Sequence, residues 1–324
     1  MKRAALIAGV AASALAFAEP GLAAFTPKLT VEHAGTAVRV DARIGAADDP
    51  AAQVRIVVPG GYALATPAAG TDIGDVSVQA AGGLAFTGNV LAAAPSQDPC
   101  AAGAPVLATW LLRLAGGGQT IDVPVYAVAT AGAEQALGPV VLVACFAPPG
   151  VKLLALTFTT SALTAPTAAG EYRWRSTWTP YAAGAPNAAG AIEAQSLVRT
   201  PTALKLAVKR TRITKNVRGV RQVWTRATVS GALTENAAGI GGASVTLTSN
   251  GRRLAVAKTN AAGAFSVTVL LRKGSLIFGA STTVPDRDLG AAGCVKTAAA
   301  PCNDATVGGT PLKASAVKAV AYLR

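Results

Sequence analysis

The chain has 324 residues, 74 of them alanine and 34 glycine, with one histidine and a net charge of +13. Its length suggests about two domains, each large enough to bury a core. With 51% hydrophobic and 14% charged residues it excludes a largely disordered chain, and the scarcity of His, Cys and carboxylates argues against most catalytic and metal-binding classes.

The N-terminus reads Met1-Lys2-Arg3, then an apolar run over residues 4–18, then Glu19-Pro20-Gly21 and small residues. A basic tip, a short apolar core and small-residue cleavage options predict a secretory signal peptide over 1–24. Cleavage after Ala18 and cleavage near Ala23 or Ala24 both fit. The run is too short for a membrane anchor, and the cleavage region has no Cys for a lipid anchor. No later apolar run reaches spanning length, so a secreted, extracellular protein without a transmembrane segment is expected.

From residue 25 the pattern has period two. Val38, Val40, Ala42 and Ile44 alternate with Arg39, Asp41 and Arg43, and Val54, Ile56 and Val58 repeat this before Pro59-Gly60-Gly61. Further strand-like runs cover 75–80, 84–90, 107–114, 120–128, 139–146, 152–160, 171–179 and 192–199, separated by Gly- and Pro-rich turns. The alanine excess therefore fills strands and loops, and the fold class is all-β. A boundary falls at Thr200-Pro201-Thr202. Residues 25–198 hold 8 basic and 11 acidic residues, whereas 199–324 hold 19 and 4. That step predicts two β-sandwich domains, 25–199 and 200–324. Four Cys in a secreted chain predict two disulfides, Cys100–Cys145 and Cys294–Cys302, one per domain.

In the second half Leu204, Leu206 and Val208 alternate with Lys205 and Lys209, and a hairpin turn is expected at Asn250-Gly251. Gly231 precedes the run Gly239 to Leu247 (G-I-G-G-A-S-V-T-L), which is followed by Thr259 to Val267 (T-N-A-A-G-A-F-S-V). Over about 201–290 this order resembles bacterial immunoglobulin-like and carboxypeptidase-regulatory-like (transthyretin-like) modules. The resemblance implies a seven-stranded sandwich serving as a spacer or binding accessory. Such modules often carry Asp where this chain has Asn260, so it implies no metal role for that turn.

Several residue groups compete as sites. His33 lacks a nucleophile or protease signature around it and reads as a solvated turn histidine. Asp48-Asp49, Asp72 with Asp75, and Asp286 with Asp288 lie at turns, where Asp bonds its own backbone. Glycoside hydrolysis needs two carboxylates roughly 5–9 Å apart, so a carboxylate-dependent hydrolase stands as a third reading. None of the pairs has calcium-loop spacing. Tyr172, Trp174 and Trp178 share one strand face, with Arg173, Arg175 and Thr177 on the other. The charged face is expected in solvent and the aromatics in the core; the alternative is a carbohydrate-binding protein that stacks glycans on the aromatic row. Lys205, Lys209, Arg210, Arg212, Lys215, Arg218, Arg221 and Arg226, with Trp224 interleaved, are expected to line a cationic stripe on a hairpin. Such a stripe attracts anionic envelope polymers or glycans, or it guards an outer strand against aggregation. No cofactor, metal or genomic nucleic acid is expected. The leading expectation is a non-enzymatic structural or adhesive protein.

Overall fold

A computed structural model describes residues 25–97, 100, 103–147, 152–271, 274–296, 300–315 and 319–321; the expected leader, 1–24, lies outside them. The fold is all-β, and helical structure among the described residues is confined to short 3-10 turns. Eleven long strands build the first unit: β1 (Lys28–Ala34), β2 (Ala37–Arg43), β3 (Ala51–Val58), β4 (Asp72–Ala80), β5 (Ala85–Ala93), β6 (Val106–Gly116), β7 (Gln119–Ala129), β8 (Val140–Cys145), β9 (Leu153–Thr160), β10 (Gly170–Ala182) and β11 (Ile192–Thr200). Then follow β12 (Thr202–Val217), β13 (Val220–Glu235), β14 (Ser244–Ser249), β15 (Arg252–Lys258), β16 (Ala264–Leu271), β17 (Phe278–Val284), β18 (Cys302–Val307) and β19 (Thr310–Ser315).

The first unit is one sheet in the order β1–β2–β9–β4–β5–β6–β7–β8–β3–β10–β11–β18, extended by the short strand Arg287–Asp288. Period-two sequence gives most strands one apolar face, and the sheet rolls to bury those faces around a main core that includes Leu29, Val40, Trp110, Leu112, Leu142 and Trp174, while Val57, Tyr126, Val128, Val141 and Val143 form a second cluster with Cys100. Rolling brings β1 back against β11 and β18. The Val31 amide donates to Ser196 Oγ at 2.8 Å, and Thr306 Oγ1 donates to the Leu29 carbonyl at 2.6 Å. Gly88 in β5 is required by the tight approach of β6, because a Cβ there would lie 1.8 Å from the Arg113 carbonyl oxygen.

The second unit is a two-layer sandwich. One sheet runs β12–β13–β16 and the other β15–β14–β17–β19. Val229 and Phe265 of the first meet Val245, Leu247 and Phe278 of the second in a shared core. The turn at Asn250-Gly251 forms as expected, both residues having positive φ (50° and 77°).

The chain does not stay in this unit once it enters. Residues 287–288 and 302–307 return to the first sheet, where β18 pairs with β11 in a parallel register and buries Ala305 and Val307. β19 then goes back to pair with β17. A boundary at 199/200 therefore marks the first crossing between units, and the strand that covers the open edge of β11 comes from about a hundred residues later. Both disulfides form with the expected partners. Cys302 opens β18, however, so the Cys294–Cys302 bridge braces the first sheet, as does Cys100–Cys145.

Candidate functional site

β12 and β13 pair along their whole length, from Thr202↔Glu235 to Val217↔Val220. The strands reverse through Arg218-Gly219, with φ of 52° and 76°, a two-residue turn of the kind that matches strand twist. β16 flanks β13 only as far as Thr225↔Leu271. Among the described residues no third strand pairs with 213–224, so the hairpin continues as a two-stranded ribbon for about 15 Å at the usual strand rise.

Strand alternation divides the eight expected cations between two faces. Leu204, Leu206 and Val208 point to the sandwich core. Lys205, Lys209 and Lys215 are therefore on the opposite, outer face, joined there by Arg226 through its pairing with Thr211 and by Trp224 through Ile213. Arg210, Arg212 and Arg221 lie on the core-side face but past the end of the core, and Arg218 caps the turn. The expected single stripe is thus a ribbon with cations on both sides, because odd and even positions cannot share a face. Lys215 Nζ sits 5.8 Å from the centre of the Trp224 ring, within cation–π range. The ion pairs among the described residues fall in the first unit, its C-terminal strands and Glu235. None joins a carboxylate to Lys205, Lys209, Arg212, Lys215, Arg218, Arg221 or Arg226.

The aromatic row turns inward. Trp174 is 0% and Trp178 3% exposed, Trp178 Nε1 donates to Ser176 Oγ at 2.8 Å, and Tyr62 packs edge-on to Trp174 with centroids 4.9 Å apart. Tyr172 is half-buried with its hydroxyl donating to the Ala168 carbonyl. Trp174 and Trp178 therefore present no open ring face, and Tyr172 alone of the row is partly exposed.

The opposite face of β10 departs from expectation. Arg175 is only 8% exposed and lies 3.3 Å from Glu193, which is 3% exposed. The loop 289–296 covers both. Arg175 donates to the Val295 carbonyl at 3.2 Å, Arg173 to the Gly293 carbonyl at 3.0 Å, and the Val295 amide to Gln195 Oε1 at 3.0 Å. Burial lowers the Arg175 guanidinium from its ordinary value despite the attraction of Glu193.

His33 is not a solvated turn residue. It lies within β1, half-buried, with Nε2 2.8 Å from the Tyr62 hydroxyl, and burial holds its imidazole below the ordinary value. The aspartates serve the backbone. Asp48 accepts from the Thr26 and Gly45 amides, with Asp49 half-buried behind it. Asp72 accepts from the Gly74 amide and from Asn89, while Asp75 is exposed on β4. Asp286 accepts from the Gly309 amide, and Asp288 from the Gly290 amide and Lys28. Asn260 likewise accepts from the Ala262 and Ala264 amides. Among the described residues no group of three or more His, Cys, Asp or Glu is placed to hold a metal ion, and no helix is long and apolar enough to cross a membrane.

Sequence reasoning missed the Arg218-Gly219 turn, whose signal was a glycine between Val217 and Val220-led strands. It also missed the covered face of β10, for which the sequence carries no local signal. No protein-family model matches the chain, and no curated protein matches it.

Proposed function

We propose that this is an exported, non-enzymatic structural or adhesive protein that binds anionic cell-envelope polymers through the β12–β13 ribbon. One observation carries the reading: a ribbon with Arg212, Lys215, Arg218 and Arg221 exposed on it and no carboxylate partner among the described residues. Unpaired cations on a projecting element attract polyanions and release bound counterions on contact. The leader-like sequence of 1–24 and the two disulfides support export. The immunoglobulin-like resemblance of 201–290 supports a spacer or binding-accessory role for the second unit.

The ribbon predicts salt-sensitive retention of the protein on teichoic-type and heparin-type resins and on a cell-wall fraction. Retention that is absent, or unchanged between low and high salt, overturns the reading. A second reading has its own support, since β12 is the outer strand of its sheet and charged edge strands resist pairing with other chains. Neutralising Lys205 and Lys209 then causes aggregation with no change in polymer retention.

A further inference from the structure

The two faces of the β12–β13 ribbon differ in more than the number of their charges. Alternation and the hairpin register put Ile213 beside Trp224 and Val217 beside Val220 on the outer face. The pairing of Arg226 with Leu270 extends that face onto β16. At the same level the core-side face carries Arg212, Thr214, Asn216 and Arg221, with Val223 as its one large apolar residue. Val220 is 60% and Leu270 40% exposed, and Ile213, Val217 and Trp224 are half-buried. None of these five belongs to a core cluster among the described residues. Their rows run for about 20 Å from the turn to Arg226 and Leu270 at the usual strand rise. Single apolar residues are ordinary on a surface, but a contiguous group on a projecting element marks a contact.

Cations frame this group. Lys215 lies between the two apolar pairs, with Nζ 5.8 Å from the Trp224 ring centre. Arg218 is at the turn, and Arg226, Lys209 and Lys205 follow toward the sandwich on the same face. Carboxylates are missing from it by sequence, since residues 194–234 and 236–285 contain no Asp or Glu. A second copy of the chain would bring like charge to the face, which opposes self-docking. An anionic lipid surface matches both sets of side chains. Its phosphates suit lysine and arginine, and the boundary between headgroups and acyl chains suits the aliphatic residues and the tryptophan ring. We propose that the ribbon lies with its outer face on an anionic lipid membrane. Ile213, Val217, Val220, Trp224 and Leu270 reach the acyl boundary, and Lys215 and Arg218 hold headgroup phosphates. Arg212 and Arg221 then face water, where an anionic polymer reaches them. The proposal rests on the reading of the ribbon as the envelope-binding element and adds the lipid beneath it.

The full mature chain is mixed with vesicles of pure phosphatidylglycerol or of pure phosphatidylcholine and followed by co-sedimentation and tryptophan emission. Retention on the teichoic-type resin is measured alongside. The protein should bind the anionic vesicles far more tightly than the zwitterionic ones. Trp224 emission should move to shorter wavelength on binding, because Trp110, Trp174 and Trp178 are already buried, and Trp224→Phe should abolish the shift while sedimentation persists. Val217→Ser with Val220→Ser should weaken vesicle binding about tenfold, with melting and resin retention unchanged. Lys215→Gln should weaken binding to anionic vesicles about fivefold. If the double serine variant melts lower, quenching of Trp224 by lipids brominated along the acyl chain decides, strong quenching being the expected result and none the contrary one. Absence of vesicle binding with resin retention intact overturns this proposal alone. So does vesicle binding without an emission shift, or vesicle binding that the two serines leave unchanged. Self-association of the free chain that the same serines abolish also overturns it, making the face a contact between copies. Absence of resin retention with vesicle binding and the emission shift intact overturns the polymer reading and supports the lipid contact.

Discussion

Arg175 and Arg212 are both arginines on paired antiparallel strands, and their environments are opposites. Arg175 lies under the loop 289–296, against Glu193 and the Val295 carbonyl. Arg212 pairs across the hairpin with Thr225, exposed, with no carboxylate in reach among the described residues. Alternation opposite buried Trp174 assigns Arg175 to a solvent face, whereas Arg212 shares the face of Leu204, Leu206 and Val208 and is exposed because the core ends before it. What separates them is a third layer, supplied to β10 by residues 120 positions further along the chain and not supplied to the ribbon. The arginines of the first unit sit in ion pairs, whereas Arg212, Lys215, Arg218 and Arg221 of the ribbon pair with no carboxylate among the described residues.

That contrast can be broken by mutation. The largest effect is expected at Trp174, where truncation to Ala should cost about 4 kcal/mol in denaturant unfolding; a cost near zero would return the aromatic row to the surface. Glu193→Ala, which leaves Arg175 buried and uncompensated, should cost about 3 kcal/mol, and the double change Arg175→Met with Glu193→Leu should recover most of it. Arg212→Ala and Arg221→Ala should each stay within about 0.5 kcal/mol of wild type, and comparable losses at both sites would erase the distinction between the units. Replacing Cys294 and Cys302 by Ser opens an 8-residue loop and should cost about 2.5 kcal/mol on the chain-entropy account. It should also raise hydrogen exchange at the Val295 amide, which the covered face of β10 holds.

The smallest effect concerns pH. Burial holds the His33 imidazole below 6.5 in the folded protein, so below that pH the unfolded chain binds more protons and stability falls as pH drops. The neighbouring Glu32, held above 4.5 by burial, acts in the opposite sense. The readout is therefore the difference between wild type and His33→Gln in melting temperature across pH 6.5, with the variant less sensitive on the acid side.

Much of this molecule was legible in its sequence, and the reason is local. Val38, Val40 and Ala42, or Leu204, Leu206 and Val208, declare strands because a half-buried strand must alternate. Asn250-Gly251 declares its turn because both residues tolerate positive φ, and both disulfide pairings followed from four cysteines in two clusters. The return of β18 to the first sheet was not legible. Cys302-Asn303-Asp304-Ala305-Thr306-Val307 reads as a weak strand, and nothing in it names β11 as its partner. The same gap hid the burial of Arg175 and the half-burial of Arg173. The ribbon was half legible: its charge was plain, but its two-sidedness required the register that the Arg218-Gly219 turn sets.

The most direct test is retention on an immobilised teichoic-type polymer as a function of salt, comparing wild type with a variant carrying Arg212, Lys215, Arg218 and Arg221 as Gln. The account predicts that wild type is held at low salt and released steeply as salt rises, that the variant elutes early with a shallower dependence, and that both melt alike. Equal retention of the two proteins, with melting unchanged, would contradict it.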